Sequence, residues 1–452
     1  ELIRNLKSFL ESSVFSTLLS KSWYIIAGPV TALIIAVNFS SVLQGYYFTF
    51  NNLLSLQLFI ELGLGIVIQF FCSHEWSNLS IDNKNRITGD EKSFKRLSSL
   101  SKIAFKWFFK GGIVAFIILY TLGFYFFEYN TTSDISINWE LPWLALCVLT
   151  SINIAYTPFY SILEGCNQIK SLYKLRLFQG IFFTSTLIIS ILLGFQLWAP
   201  CFATLASILV GTFFIYKKYF YFFYDLLKLK NTSDLINWKK DLLPMQWKIA
   251  ISWISNYFCF YLFTPLLFMY QGPEIAGKFG MSWAIMLSIG SFSSSWIIAN
   301  TPKYSILIAK NDYVSLDKLN LKMFKISSTA MFLILISFLG FVMYSPVLNL
   351  NIIDTFISRL LDPLTLGVLA IGQFFFFIST PFATYLRSHK KEPLLFFNLT
   401  LALIISLMTY YFSKNYSVFY VVLSYATVSI IAFSTLLIIW KKLKIIYKLK
   451  NQ

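Results

Sequence analysis

Residues 46–71 read Tyr46-Tyr47-Phe48-Thr49-Phe50-Asn51-Asn52-Leu53-Leu54-Ser55-Leu56-Gln57-Leu58-Phe59-Ile60-Glu61-Leu62-Gly63-Leu64-Gly65-Ile66-Val67-Ile68-Gln69-Phe70-Phe71, with one charge, Glu61. A bilayer core needs about 20 mostly apolar helical residues to cross it, so this run predicts a membrane span. Gln57, Glu61, Gly65 and Gln69 recur every fourth residue and form one slowly drifting stripe. Polar groups facing lipid are costly, so a stripe of them predicts an interior to face.

The rest of the chain has the same character. Of 452 residues 57% are hydrophobic, 19% aromatic and only 13% charged, and the mean hydropathy is +0.66. No soluble core hides that much apolar surface, and the composition also excludes a disordered chain, a fibrous repeat or a secreted disulfide scaffold. The fold class is an all-α polytopic membrane protein. Twelve transmembrane helices are expected near 22–43, 46–71, 107–127, 141–164, 177–197, 200–221, 245–270, 275–299, 323–345, 363–386, 394–412 and 417–440. Segments 2–20, 222–244 and 441–450 read as amphipathic interfacial stretches. No cleavable leader is expected, and Glu1 suggests that a longer chain precedes it.

The 37 basic residues outnumber the 20 acidic ones, a net charge of +17. With twelve spans, all the basic residues but Lys278, Arg359 and Lys414 fall on one side, while Glu128, Asp134, Glu140, Asp354 and Asp362 fall on the other. The positive-inside rule then makes both termini cytoplasmic and explains the basicity without nucleic acid. Cys72, Cys147, Cys166, Cys201 and Cys259 have no CxxC spacing and read as small core residues. His74 and His389 read as surface histidines in loops. No Walker A, GxSxG, zinc-site or GxGxxG pattern in a suitable context supports an enzyme.

Six spans plus six divide the chain into an N-terminal lobe, 1–225, and a C-terminal lobe, 226–452. Gln44-Gly45 and Gln271-Gly272 recur at an offset equal to that half-length, and each is expected to end the first span of its half. Both halves start on the same side, so the pseudo-repeat is parallel, and substrate is expected between the halves. Polar residues concentrate in the first two spans of each half. Candidate cavity residues are Asn38, Gln57, Ser252, Asn256 and Ser282. Candidate cations are Lys21, Lys248 and Lys278, although the last two sit near span ends where a lysine can simply snorkel. Glu61 is the one acid deep in a span, either a coupling or gating carboxylate or a structural one.

The stretches Gln44-Gly45-Tyr46-Tyr47-Phe48-Thr49-Phe50, Leu56-Gln57, Glu61-Leu62-Gly63-Leu64-Gly65, Gln69-Phe70-Phe71 and Ser73-His74-Glu75 resemble polysaccharide flippases. These are the Wzx-like O-antigen and capsule repeat-unit exporters of the multidrug/oligosaccharidyl-lipid/polysaccharide superfamily. Gln271-Gly272-Pro273-Glu274-Ile275-Ala276-Gly277-Lys278-Phe279 is similar to that family's turn between spans 7 and 8, and Thr301-Pro302-Lys303 also fits. The resemblance implies a MATE-like, V-shaped pair of lobes in a bacterial inner membrane. It implies export of an undecaprenyl-pyrophosphate-linked oligosaccharide by alternating access, coupled to an H+ or Na+ gradient and without a cofactor. Its implied partners are that lipid, the bilayer and polysaccharide polymerase machinery. The family's rows of cavity arginines have no counterpart, since intramembrane arginine is nearly missing here.

Three rivals remain on the sequence alone. A drug or cation antiporter of the same fold would want acids deep in the first lobe, where Glu61 stands alone. A membrane glycan polymerase or ligase would want a large external catalytic loop, and 128–140 and 346–362 are short. A structural scaffold would have no use for a polar cavity. The charge bias makes a direct test: a topology reporter fused at Asn130 should report the outer side, and a cytoplasmic report would break the span count and the repeat together.

Overall fold

The computed structural model describes residues 13–82, 85–130, 137–229, 236–348, 350–389 and 393–450. The expected amphipathic stretch 2–20 therefore lies mostly outside the described residues, as does part of 222–244. Among the described residues, ten helices are long and apolar enough to cross a membrane, and the bent pair Ser41–Glu61 and Leu64–Trp76 makes an eleventh. At the first expected span stands α1 (Ser13–Asn38), whose apolar stretch is Ala27–Asn38. The chain is thus a multi-pass helical membrane protein: eleven of the twelve expected spans coincide with these ten helices and the bent pair, and the first meets the shorter apolar stretch Ala27–Asn38. Hydrocarbon dictates this, because a spanning backbone must satisfy its own N–H and C=O groups.

The helices continue as α2 (Ser41–Leu54), α3 (Leu64–Trp76), α4 (Glu91–Asn130), α5 (Glu140–Gly165), α6 (Ile169–Leu192), α7 (Ala199–Lys228) and α8 (Leu243–Phe260). Then come α9 (Phe263–Gln271), α10 (Pro273–Ala309), α11 (Tyr313–Tyr344), α12 (Asn351–Ser358), α13 (Pro363–Ile378), α14 (Thr380–Arg387), α15 (Leu395–Asn415) and α16 (Val418–Lys450).

Two connectors hold more structure than the sequence reading gave them. Residues 72–106 carry an antiparallel hairpin, β1 (Leu79–Ile81) with β2 (Ile87–Gly89). They also carry the first turns of α4, which starts where Asp90 accepts the Ser93 N–H at 2.8 Å. The segment 346–362 holds α12. The five cysteines are buried free thiols.

By packing, the chain forms two units, Glu1–Ile34 with Leu53–Ile254, and Ile35–Asn52 with Ser255–Gln452. This differs from a cut at residue 225: 226–254 stays with the first unit, and 35–52 joins the second. The first unit is built on α4 against α5, α6 against α7, and α3 against α5. The second centres on α13 against α16, α10 against α11, and an aromatic cluster in which Trp283 lies 5.0 Å from Phe263 and 5.1 Å from Tyr425. At one end of the second unit His389 is no surface histidine. Its ring stacks on Tyr447 at 4.3 Å, and Nδ1 lies 3.0 Å from the Tyr385 carbonyl.

Residues 35–52 join the second unit for a readable reason. The first span ends at Asn38, not at 43, and Ser40 starts a new helix by accepting the Leu43 N–H at 3.2 Å. Gln44-Gly45 is therefore the first turn of the next helix, whereas Gln271-Gly272 does end one; the two pairs occupy unlike positions. The Gln44 amide donates to the Gly277 carbonyl at 2.8 Å and to the Arg359 carbonyl at 3.1 Å. The Arg359 guanidinium donates in turn to the Ala36 carbonyl and the Ser41 hydroxyl. Gly45 lets α2 approach so closely that a Cβ there would lie 1.9 Å from the Pro273 carbonyl oxygen. Small residues at such crossings replace the hydrophobic drive that lipid removes. Gly45→Leu should lower the melting temperature of the purified protein, corresponding to at least ~1–3 kcal/mol of overpacking. Gly340→Leu, where a Cβ meets nothing within 4 Å, is the control and should melt like the parent.

Candidate functional site

The stripe that opened the sequence reading does not lie on one straight helix. After Glu61 the chain passes through two left-handed residues, Leu62 (φ 47°) and Gly63 (φ 65°), and the span bends by 47°. A leucine in that region is strained by roughly 1–2 kcal/mol. Gly63 cannot be replaced cheaply, because a Cβ would also lie 2.3 Å from the Ile249 Cγ2 of α8. Such breaks are tolerated at membrane depth only where protein or a polar cavity satisfies the backbone. Glu61 is half-buried on the rim of the break and has no hydrogen bond or ion pair among the described residues. Gln57 is half-buried one turn earlier. Beyond the break Gly65 packs on α5, where a Cβ would meet the Ser161 hydroxyl at 2.9 Å. The stripe is therefore cut in two, with Gln57 and Glu61 on one side and Gly65 in a helix contact.

The second unit holds a pocket of about 250 Å³ with polar side chains set in a mostly apolar lining. Asn256 and Ser255 of α8 enter it from one side, Asn398 of α15 and Ser429 of α16 from others. The junction of α13 and α14 supplies Ser379 and Thr380, and Arg387 ends α14 at the pocket. The helix is interrupted there because Ser379 turns its hydroxyl onto the Phe376 carbonyl at 2.5 Å, and Pro381 has no N–H to continue the ladder. Phe260, Phe376, Phe397 and Phe433 supply flat apolar faces, and no carboxylate lines the pocket. Gln373 sits three residues before Phe376 on the same face of α13, fully buried, with neither amide atom hydrogen-bonded among the described residues. A buried amide left so costs about 1–3 kcal/mol.

The remaining sequence candidates scatter. Ser282 is buried and accepts the Leu361 N–H at 3.0 Å, so it is a backbone cap and not a cavity wall. Lys278 is paired with Glu274, four residues back on α10, at 3.2 Å; the free cation expected there is an ion pair. Lys248 is exposed beside Ile249, while Ser252 is half-buried on the Ile249 face of α8. Asn38 is exposed at the end of α1. Lys21 belongs to α1, and its side chain lies outside the described residues. Arg387 follows the expected span 363–386 and is not among the sequence candidates. The Ser379-Thr380-Pro381 interruption was the signal that could have brought it forward.

No protein-family model and no curated protein matches the chain. Solved structures do match it. An inward-facing multidrug-resistance MATE transporter of the MOP superfamily superposes with a TM-score of 0.64 at 12% identity, covering 98% of this chain and 100% of that one. The lipid II flippase MurJ, inward closed, gives 0.54 at 16% identity over 97% and 90%. A MOP-superfamily transporter from Pyrococcus furiosus, described as having a binding pocket of reversed polarity that suggests a different function, gives 0.55 at 12% over 98% and 96%. At these identities the likeness establishes the fold, that of the MATE and MOP transporters.

The break itself is testable. Gly63→Ala should destabilise the protein by at least ~1–2 kcal/mol through the left-handed backbone, with the Ile249 clash added. In an Ile249→Ala background the same substitution should lose less, keeping only the backbone part. A Gly63→Ala protein that melts like the parent would contradict the geometry.

Proposed function

We propose that the chain is a flippase that carries a lipid-linked oligosaccharide across a bacterial inner membrane, from the cytoplasmic to the periplasmic leaflet, by alternating access. The observation that supports this most is the lining of the second-unit pocket. Hydroxyls, carboxamides, phenyl faces and one guanidinium suit sugar hydroxyls and a phosphate, and the lining has no acid to attract a cation. Its volume is below the roughly 300–1,000 Å³ of drug-sized pockets, which suits part of a headgroup.

The task is physically coherent. Sugar hydroxyls in hydrocarbon would lose their hydrogen-bond partners, so the head needs a polar route while its prenyl tail stays in lipid. A pyrophosphate moving outward runs with an inside-negative potential by about 2.3 kcal/mol per charge per 100 mV. Arg387 takes the phosphate-holding role in this reading, because it is the one cation among the described residues of the pocket lining. Glu61 is the coupling carboxylate: with no cation beside it, a proton or Na+ is the partner that neutralises it when the bend is dehydrated.

That lone carboxylate also favours one other reading, an antiporter for drugs or cations with Glu61 as its acid. Proteoliposomes separate the two. Lipid-linked oligosaccharide should be translocated, with Arg387→Gln slowing it at least tenfold, whereas transport of cationic dyes that depends on Glu61, without oligosaccharide translocation, would favour the antiporter. Gln373→Leu should raise the melting point, by a gain of about 1–3 kcal/mol. A variant less stable than the parent would contradict the unpartnered amide.

A further inference from the structure

The first unit gathers cations at one place that the proposed function does not use. α6 and α7 pack on each other, and near the start of α6 the Lys218 ammonium of α7 donates to the Ser171 hydroxyl at 2.5 Å. Lys170 and Lys174 flank Ser171, one residue before it and three after, so all three share one side of α6. Both lysines are exposed, and neither has an ion pair among the described residues. Both also stand within electrostatic reach of Lys218.

Three ammonium groups so placed repel one another, and among the described residues no carboxylate relieves them. Glu164 is held by Arg176 at 2.9 Å. Asp225 stands seven residues beyond Lys218 on α7, roughly 10 Å along the axis. Lys218 is nonetheless held in place. Its ammonium lies 6.0 Å from the Phe214 ring centre and 5.3 Å from that of Tyr219, whose hydroxyl donates to the Gln168 side-chain carbonyl at 3.1 Å. An ammonium has three donors, and the bond to Ser171 uses one of them. The same face of α6 then runs into hydrocarbon. Lys174, Phe178 and Phe182 recur every fourth residue, with Phe178 51% exposed and Phe182 50%. Lys170 and Lys174 stand just outside the expected span 177–197, and the two rings just inside it.

We propose that Lys170, Lys174 and Lys218 bind the phosphate of an anionic phospholipid, with an acyl chain of that lipid along Phe178 and Phe182. The anion follows from the uncompensated cations. The lipid follows from the apolar stripe that leaves them on the same face, for which a free phosphate has no use. A zwitterionic lipid would bring an ammonium of its own into the cluster. Basic clusters at the ends of spans select anionic headgroups on these grounds. Nothing in this site requires the flippase reading.

The test uses the full chain in mixed phosphatidylcholine–phosphatidylglycerol nanodiscs, with a trace of one lipid or the other carrying a diazirine on its acyl chain. Photolysis should label the α6 peptide that holds Phe178 and Phe182 more strongly from phosphatidylglycerol than from phosphatidylcholine. The double variant Lys170→Gln and Lys174→Gln, exposed positions that spare the core, should cut that excess on the order of tenfold. Lys218→Gln, which keeps a donor for Ser171, should reduce it as well. The control pair Lys106→Gln and Lys110→Gln, exposed on α4, removes the same charge and should leave the excess unchanged. Inorganic phosphate at constant ionic strength should not displace the lipid. Equal labelling by the two probes in the parent would overturn the proposal. So would an excess that the α4 pair lowers as much as the α6 pair, since that is only the attraction of a basic protein for anions. Displacement by inorganic phosphate would overturn the phospholipid as ligand and leave a soluble phosphate in its place.

Discussion

A peptide group in hydrocarbon has no water to bond, so every unbroken stretch of this chain at membrane depth is helix, and every break needs local support. The rest of the architecture depends on that constraint. Breaks fall at Phe39-Ser40, at Leu62-Gly63 and at Ser379, and each is held by something specific: the Ser40 cap with Arg359 and Gln44, the fit of Gly63 against Ile249, and the Ser379 hydroxyl ahead of Pro381. The polar chemistry sits at the second and third of these, Glu61 at one and Asn256, Thr380 and Arg387 at the other. The same rule that makes the protein helical thus selects where polar side chains can gather.

The spans were legible because hydrocarbon leaves little choice. A long apolar run such as 177–197 or 323–345 has to become helix, and ten such helices stand where the runs are. The breaks were not legible. Leu62 adopts a left-handed conformation that leucine disfavours, imposed by packing around Gly63 that no local pattern announces. Ser40 starts a helix inside what reads as a continuous apolar segment, so the Gln44-Gly45 repeat looked like a span end when it opens a new helix.

The candidate site was partly legible. Glu61 and Asn256 could be named because polar groups in apolar runs are costly, and one stands at the 47° bend and the other in the pocket lining. Ser282 and Lys278 satisfied the same criterion and turned out to serve the fold, one capping Leu361 and the other pairing with Glu274. Polarity inside a span identifies a group that needs a partner; it does not say whether that partner is backbone, a neighbouring side chain or cargo. The Glu274 to Lys278 spacing of four on one helix was the available warning. Arg387 escaped because charge counting assigns residues to sides and not to depths.

The central claim is that the acid-free pocket of the second unit receives the polar head of a lipid-linked oligosaccharide. A cryo-electron microscopy structure of the protein in nanodiscs with such a lipid addresses it most directly. The account expects headgroup density beside Asn256, Asn398 and Arg387, with phosphate against the Arg387 guanidinium. Headgroup density elsewhere with that pocket unchanged, or a cationic drug seated at Glu61 in place of the glycolipid, would contradict it.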